Sequence, residues 1–326
     1  MIQTTYQETK KISGLRVLID ILKRHGIFVA LIALFIVGSL ISDVFLSSRN
    51  IFNILRQSSI VGIMAIGMTF VLIGGDIDLS VGSTLSLCMV LAIGLQQQGL
   101  ALSILIVLIV GILAGLLNGL LVGLFKANAF IVTLGTMSII QAIALIYSKG
   151  YHMLGDPESA FSIIGRGMIG PVPIPVIIFV TFGIIFHIIL SNSKFGYSVY
   201  ATGGNAKAAW ASGIHTGLTK LVAFVLTGFT AAVGALVMSS RLASAQPSAG
   251  QGYELDVIAA VILGGTSLLG GRGSIFRTVV GALFFAVFSN LMILLNVAYP
   301  FQLVIKGAII ICAVWADIIG RRALQQ

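Results

Sequence analysis

Apolar runs of about 20 residues recur along this chain, and they constrain its fold more than any other feature. The hydrocarbon core of a bilayer is roughly 30 Å thick, so a helix needs about 20 apolar residues to cross it. Because 58% of the residues are hydrophobic and only 9% are charged, few remain for a soluble domain. The sequence therefore predicts an all-α polytopic membrane protein. The runs lie at about residues 27–46, 57–73, 80–98, 100–125, 128–148, 174–192, 218–240, 275–296 and 301–318, with a shorter one at 257–269.

The lysine and arginine residues decide between nine and ten membrane segments. Counting the short run at 257–269 as a spanning or half-spanning helix gives ten segments and puts both termini on one side. Short cytoplasmic loops accumulate basic residues, and ten segments with cytoplasmic termini assign 13 of the 19 to that side. We therefore predict a cytoplasmic segment at 1–26, one transmembrane domain at 27–322 and a tail at 323–326. The net charge of +9 then follows mainly from topology, and no nucleic-acid partner is expected.

The stretch GGDIDLSVGS at residues 74–83 interrupts an otherwise apolar region with two carboxylates, Asp76 and Asp78. The paired glycines are expected to end the second helix. In the favoured interpretation, Asp78 or Ser80 accepts hydrogen bonds from the first free N–H groups of the third helix, near the cytoplasmic face. In the alternative, the break lies deeper in the bundle and Asp76 faces a water-filled path.

The segment at residues 193–217 is polar and falls on the predicted cytoplasmic side. Within it AKAAWASGI predicts a short helix, with Asn205 as its N-cap after a Gly203-Gly204 turn and Gly213 as its stop. A short surface helix is what a membrane domain needs if it receives force from a soluble partner.

Glycines spaced four residues apart form a stripe at Gly111, Gly115 and Gly119. Small residues at this spacing let helix backbones approach closely in lipid. The stripe therefore predicts tight helix packing with no direct functional role.

Five separated motifs carry a resemblance to a known family. They are GGDIDLSVGS at 74–83, NAFIVTLGT at 128–136, GYSVYATGGN at 196–205, Ala208-Ala209-x-x-x-Gly213, and SAQPSAGQGYELDVIAAVILGGTSLLGGRGS at 244–274. Together they resemble the permeases of bacterial ABC importers for ribose, galactose, xylose and allose, a group that includes autoinducer-2 permeases. The resemblance covers about residues 27–322. It departs from the family at Lys207, where a Glu often precedes the two alanines.

The resemblance implies a transport subunit of the bacterial inner membrane rather than an enzyme. Family members work with a cytoplasmic ATP-binding subunit, a periplasmic sugar-binding protein and a second permease copy, which is a homodimer partner or a related chain, within membrane lipid. The chain has no G-x-x-x-x-G-K-[ST] phosphate loop, so ATP is expected to be used by the partner and no cofactor to be bound here. No residue pattern predicts a metal site or an enzyme active site.

The resemblance and the polar residues themselves indicate roles for particular positions. Coupling to the ATPase is expected at Gly204, Asn205, Lys207, Ala208, Ala209 and Gly213. Docking of the binding protein is expected at Arg241, Gln246, Glu254 and Asp256, although these residues could equally solvate a loop and cap the next helix. The candidate sugar path comprises Asp76, Asp78, Ser80, Asn118, Asn128, Gln141 and Asn290, together with Ser289. For each amide, an interhelical hydrogen bond is the favoured alternative.

A second class of function remains open at the level of sequence. An ion-coupled or passive secondary transporter of small polar solutes would carry membrane-embedded acidic residues. Asp76 and Asp78 are the only nearby candidates for that role.

Overall fold

The chain folds into a bundle of helices. The computed structural model describes residues 26–325, with side chains to residue 315, so the predicted segment at 1–26 lies almost wholly outside the described residues. The predicted all-α class is confirmed for the part of the chain that is described. Its helices are α1 (Gly26–Ile41), α2 (Ser48–Ile73), α3 (Val81–Gly94), α4 (Leu100–Gly119), α5 (Ala129–Ser148), α6 (Ser162–Arg166), α7 (Ile174–Asn192), α8 (Lys194–Gly204), α9 (Ala206–Ala211), α10 (Thr216–Leu242), α11 (Tyr253–Leu263), α12 (Ile275–Leu294) and α13 (Tyr299–Gln325).

Six of the described helices are long and apolar enough to cross a membrane: α2, α4 with its π-helical extension Leu120–Leu124, α5, α7, α10 and α12. The shorter apolar helices are α1, α3 and the Tyr299–Trp315 part of α13. The total of ten membrane segments therefore stays a prediction. Helix α2 begins at Ser48, more than two turns before the predicted start, because Arg49 and Arg56 lower the hydropathy without breaking the helix. The Ser47 side chain caps it by accepting the N–H of Asn50.

Two ends of the bundle can be distinguished from chain order. Helix α10 has 27 residues and is therefore about 40 Å long. Helix α9 precedes α10, and the two-residue strand β4 (Ser244–Ala245) follows it. We call these the α9 end and the β4 end. At the β4 end, β1 (Met153–Leu154) pairs antiparallel with β4, and a second ribbon joins β2 (Met168–Ile169) to β3 (Val172–Pro173).

Close packing of α4 on α10 confirms the predicted role of the glycine stripe. A Cβ atom on Gly119 would lie 2.8 Å from the Cα of Leu221, and one on Gly115 would lie 2.9 Å from the Cα of Val225 and overlap the Phe224 carbonyl oxygen. At Gly111 the overlap would be with the carbonyl oxygen of Gly228. At Gly115 and Gly119 the nearest α10 atoms are all backbone atoms, and at Gly111 the Cβ of Ala232 lies equally near, so the two helices pack backbone to backbone over most of this line.

The Gly115→Ala substitution should destabilise the protein by about 1–3 kcal/mol, since α10 backbone cannot move aside as a flexible side chain would. Unfolding of the purified protein in detergent measures the effect. Gly135→Ala in α5 is the matched control, because a Cβ at Gly135 meets no atom within 4 Å. Equal stability of the two variants would contradict the packing role.

Candidate functional site

The α2–α3 connection contains the predicted helix break. Helix α2 ends at Ile73, Gly74 caps it, and Gly75 has a φ of 85°, a value that favours glycine. Helix α3 begins only at Val81, so the DIDLS residues run between two helices without belonging to either. The break is confirmed, and its side chains turn into the bundle.

Asp76 forms an ion pair with Lys220, which lies one turn into α10. The Lys220 Nζ atom is 2.9 Å from Asp76 Oδ2 and donates a hydrogen bond to Oδ1 at 3.0 Å. The Asp76 side chain is 11% exposed and the Lys220 side chain 24%, so the pair is largely shielded from solvent. It lines a narrow cleft between α2, α8 and α10, with Val199 and Thr219. Lys220 was missed at the level of sequence because 144 residues separate it from Asp76.

Asp78 is buried among neutral donors instead. Its Oδ1 atom accepts hydrogen bonds from the backbone N–H of Ser80 at 2.9 Å and from the Ser80 hydroxyl at 2.6 Å. The Asn118 amide of α4 donates to that hydroxyl at 2.8 Å. Within the described residues, the buried carbonyl oxygen of Asn118 has no hydrogen-bond partner. Three predicted path residues thus meet in one buried polar cluster.

The two carboxyl groups differ in how their burial is offset. Burial raises the pKa of Asp76 above its usual range, and the charge and hydrogen bond of Lys220 oppose the rise. Burial also raises the pKa of Asp78, and only hydrogen bonds from Ser80 and Asn118 oppose it. Asp78 is therefore the carboxylate that is more costly to keep charged.

Within the described residues the capping interpretation is wrong for Ser80, and Asp78 accepts no N–H group of α3 itself. Ser80 already has helical dihedral angles, φ −77° and ψ −7°, and its side chain makes no capping hydrogen bond. Asp78 accepts the N–H of Ser80 itself, one residue before the helix. The carboxylate therefore organises the turn that starts α3.

The remaining predicted path residues have separate partners. Asn128 is exposed and caps α5 by accepting the N–H of Ile131 at 3.3 Å. Gln141 donates to the carbonyl oxygen of Pro247 at 2.7 Å. Asn290 of α12 exchanges amide hydrogen bonds with Asn50 of α2, at 2.7 and 3.0 Å. Only the Asn290–Asn50 pair joins two helices, as the alternative interpretation expects. Asn128 caps its own helix, and Gln141 joins α5 to the loop after β4.

Helices α8 and α9 form the predicted coupling segment. Asn205 is the N-cap of α9, as predicted, and accepts the N–H of Ala208 at 3.0 Å. Gly213, with a φ of 85°, follows the helix as a stop. The predicted Gly203-Gly204 turn is wrong, since both residues belong to the last turn of α8. Of the coupling candidates, Gly204, Asn205, Lys207, Ala208 and Gly213 are exposed, and Ala209 is buried.

The four docking candidates divide between two depths. Arg241 lies in the last turn of α10, and Gln246 is exposed just after β4, so both are at the β4 end. Glu254 and Asp256 lie in the first turn of α11, whose 11 residues measure about 16 Å.

The start of α11 lies inside the bundle. The loop before it returns from the β4 end, and the N–H of Gly250 donates to the Ser86 hydroxyl of α3 at 2.8 Å. A Cβ on Gly82 would overlap the Glu254 carboxylate. Asp256 is paired with Lys306 of α13 at 2.8 Å. The first turns of α3 and α11 therefore meet, which separates Glu254 and Asp256 from the β4 end.

These features together define a polytopic membrane protein of the transport class: long apolar helices, two short helices that meet inside the bundle, buried ion pairs and an exposed short helix. The chain belongs to the family described as the permease component of branched-chain amino acid transport systems, whose model matches residues 50–314. As a permease component it is a transport subunit rather than an enzyme.

Curated relatives extend across most of the chain. It is 43% identical over 302 residues to the ribose import permease protein of Bacillus subtilis, covering 91% of this chain and 93% of that protein. Identity is 34% to the xylose transport system permease protein of Haemophilus influenzae, over 91% and 97% of the two chains. The chain is 36% identical to the D-allose transport system permease protein of Escherichia coli, covering 89% of this chain and 90% of that protein. No solved structure gives a significant match. The predicted resemblance to sugar importer permeases is confirmed.

Proposed function

We propose that the chain is the permease subunit of an ATP-driven importer that carries ribose or a closely related monosaccharide across the inner membrane of a bacterium. The observation that carries the proposal is the 43% identity to a ribose import permease over nearly the full length of both proteins. The names of the xylose and allose relatives also specify neutral monosaccharides. The family description names branched-chain amino acids instead, so the substrate class needs a direct test.

The proposed assembly contains two copies of the permease, a cytoplasmic ATP-binding subunit and a periplasmic sugar-binding protein, surrounded by membrane lipid. The chain lacks a phosphate loop of its own, which supports a separate source of ATP hydrolysis. We assign the α9 end to the cytoplasm, together with both termini, because it carries the exposed coupling segment. Residues 27–322 then act as one membrane domain.

The proposed mechanism is alternating access driven through α9. Closure of the ATPase subunit would displace α9, and a rigid bundle would convert that displacement into opening toward one side of the membrane. The binding protein would dock at the β4 end, where Arg241 and Gln246 lie. Glu254 and Asp256 are better suited to the inner part of the path, because they lie where α3 and α11 meet.

The proposed polar part of the sugar path is the cluster of Asp78, Ser80 and Asn118, with Asp76 beside it. Sugar hydroxyl groups both donate and accept hydrogen bonds, and this cluster combines hydroxyl, amide and carboxylate groups that can do the same. The unpartnered carbonyl oxygen of Asn118 supports the proposal, since it can accept a further hydrogen bond.

Reconstitution into proteoliposomes tests the function. The complete complex should take up labelled ribose only with ATP inside and binding protein outside, and excess leucine should not compete. The permease alone should be inactive. Competition by leucine at the concentration that saturates ribose uptake would instead favour an amino-acid importer.

A secondary transporter is the second candidate, and the buried Asp78 favours it specifically. The structure gives this carboxylate hydrogen bonds from Ser80 and Asn118, which are neutral, and such groups act in proton coupling. Uptake by the purified permease alone, driven by a proton or sodium gradient, would establish this candidate and remove the importer proposal.

A further inference from the structure

Helix α8 lies along the last turns of α2 and touches them at two points. At its start, the ring of Phe195 stacks on that of Phe70 with a centroid distance of 5.8 Å. At its end, Gly203 packs directly on the carbonyl group of Ile73. Contacts at both ends of α8 therefore fix its orientation relative to the end of α2.

Four glycines bring three backbone segments together at this point: Gly75, Gly203, Gly270 and Gly271, which we call the glycine junction. The N–H of Gly271 donates to the carbonyl oxygen of Ile73 at 2.8 Å. A Cβ on Gly270 would lie 3.0 Å from the Cα of Gly75 and 2.8 Å from the carbonyl oxygen of Gly203. A Cβ on Gly203 would overlap the Ile73 oxygen and lie 2.7 Å from the nitrogen of Gly271.

Backbone contacts of this kind transmit displacement stiffly. A side chain between two segments can change rotamer and absorb a small shift, but touching backbones in a packed interior cannot. Gly75, Gly270 and Gly271 also have positive φ values of 85°, 81° and 74°, so each turn needs glycine at that position. Movement of the end of α8 must therefore move the end of α2.

A second contact with the end of α2 comes from the part of the chain that follows α9. Chain order runs from Gly203 through α9 to Lys220 of α10. Lys220 holds Asp76 at 2.9 Å, three residues after Ile73, where Gly203 packs. The two elements that flank α9 thus converge on residues 73–76.

We propose that residues 73–76 receive the displacement of α9 through two arms, the glycine junction before α9 and the Lys220–Asp76 pair after it. The first element to move inside the bundle is then the DIDLS segment, which carries Asp78 toward or away from Asn118. This inference rests on the proposed function, because it assumes that a partner displaces α9. The role of Gly203 and Lys220 is positional, since neither needs to touch the sugar.

The Gly203→Ala variant of the complete complex tests the first arm. Ribose uptake should fall at least tenfold, while the rate of ATP hydrolysis per assembled complex changes less than twofold. Alanine is the better helix former, and Gly203 lies within α8. A loss of uptake would therefore arise from the contact with Ile73 and not from a weaker helix. Gly183→Ala in α7 is the control with unchanged uptake expected, because its Cβ meets only Val279 at 3.6 Å.

The Lys220→Met variant tests the second arm and decides the matter if Gly203→Ala fails to assemble. Methionine has a side chain of similar length without the charge. We again expect ribose uptake to fall at least tenfold while the rate of ATP hydrolysis changes less than twofold. Full uptake in either assembled variant, or a parallel loss of hydrolysis and uptake, overturns the inference. Failure of the wild-type complex to import ribose would instead count against the proposed function, so the two failures are distinguishable.

Discussion

We expect the Trp210→Ala variant to bind the cytoplasmic ATPase subunit at least about 30-fold more weakly than the wild-type permease. Trp210 lies on α9 with 73% of its surface exposed, on a helix whose other residues are alanines and one lysine. A large exposed aromatic residue on a small surface helix is typical of an interface hot spot, and its truncation commonly costs about 2 kcal/mol or more. Binding of the purified ATPase subunit to permease in nanodiscs measures the effect.

Trp315→Ala provides the matched control, since the chain has only 2 tryptophans. Trp315 is 65% exposed on α13 and lies far along the chain from α9. Its loss should leave the affinity for the ATPase subunit within about twofold, because a surface substitution outside the interface removes no contact. Equal weakening by both substitutions, or none by either, would show that Trp210 does not anchor the partner.

Local signals predicted helix α9 well. The Asn205 cap and the Gly213 stop depend on hydrogen bonds and dihedral angles within one or two turns, and the structure has both. The same local reasoning failed at Gly203-Gly204. Two glycines usually favour a turn, but here Gly203 packs against Ile73, and both glycines lie in the last turn of α8. Tertiary contact decided the backbone conformation where propensity was weak.

The partners of the charged residues could not be predicted, because they are distant in sequence. Asp76 and Lys220 are 144 residues apart, and Asp256 and Lys306 are 50 apart. The positive-inside pattern treats lysine as a marker of topology and carries no information about pairing. The structure shows that Lys306 forms an ion pair with Asp256 within the bundle.

The depth of the loop before α11 was missed for a related reason. The polar run at 241–256 indicates a surface loop, since polar residues between apolar segments usually remain in water. A short helix that starts inside the bundle has the same composition. The informative signal was the length of the apolar run at 257–269, which is too short to span and accords with the 11 residues of α11.

The Lys306→Met variant should lower the free energy of unfolding by about 2–3 kcal/mol, because it leaves the Asp256 carboxylate buried without its cation. Lys306 donates to both oxygens of Asp256, at 3.0 and 2.8 Å, and the two side chains are only 17% and 19% exposed. Reversible unfolding in mixed micelles measures the change. Lys194→Met is the control, since Lys194 is exposed at the start of α8 and should change stability by less than about 0.5 kcal/mol.

The double variant Lys306→Met with Asp256→Leu separates the two positions proposed for Asp256. Replacing both members of a buried pair by apolar side chains is often nearly neutral, so most of the lost stability should return. If Asp256 instead faced water at a docking surface, removal of Lys306 would cost less than about 1 kcal/mol. In that case, adding Asp256→Leu to Lys306→Met would not raise the free energy of unfolding. A charge reversal at Asp256 alone cannot test docking, because the broken pair with Lys306 would lower stability as well. Stability of the single and double variants therefore fixes the depth of the α11 start, and with it which polar residues can line the sugar path.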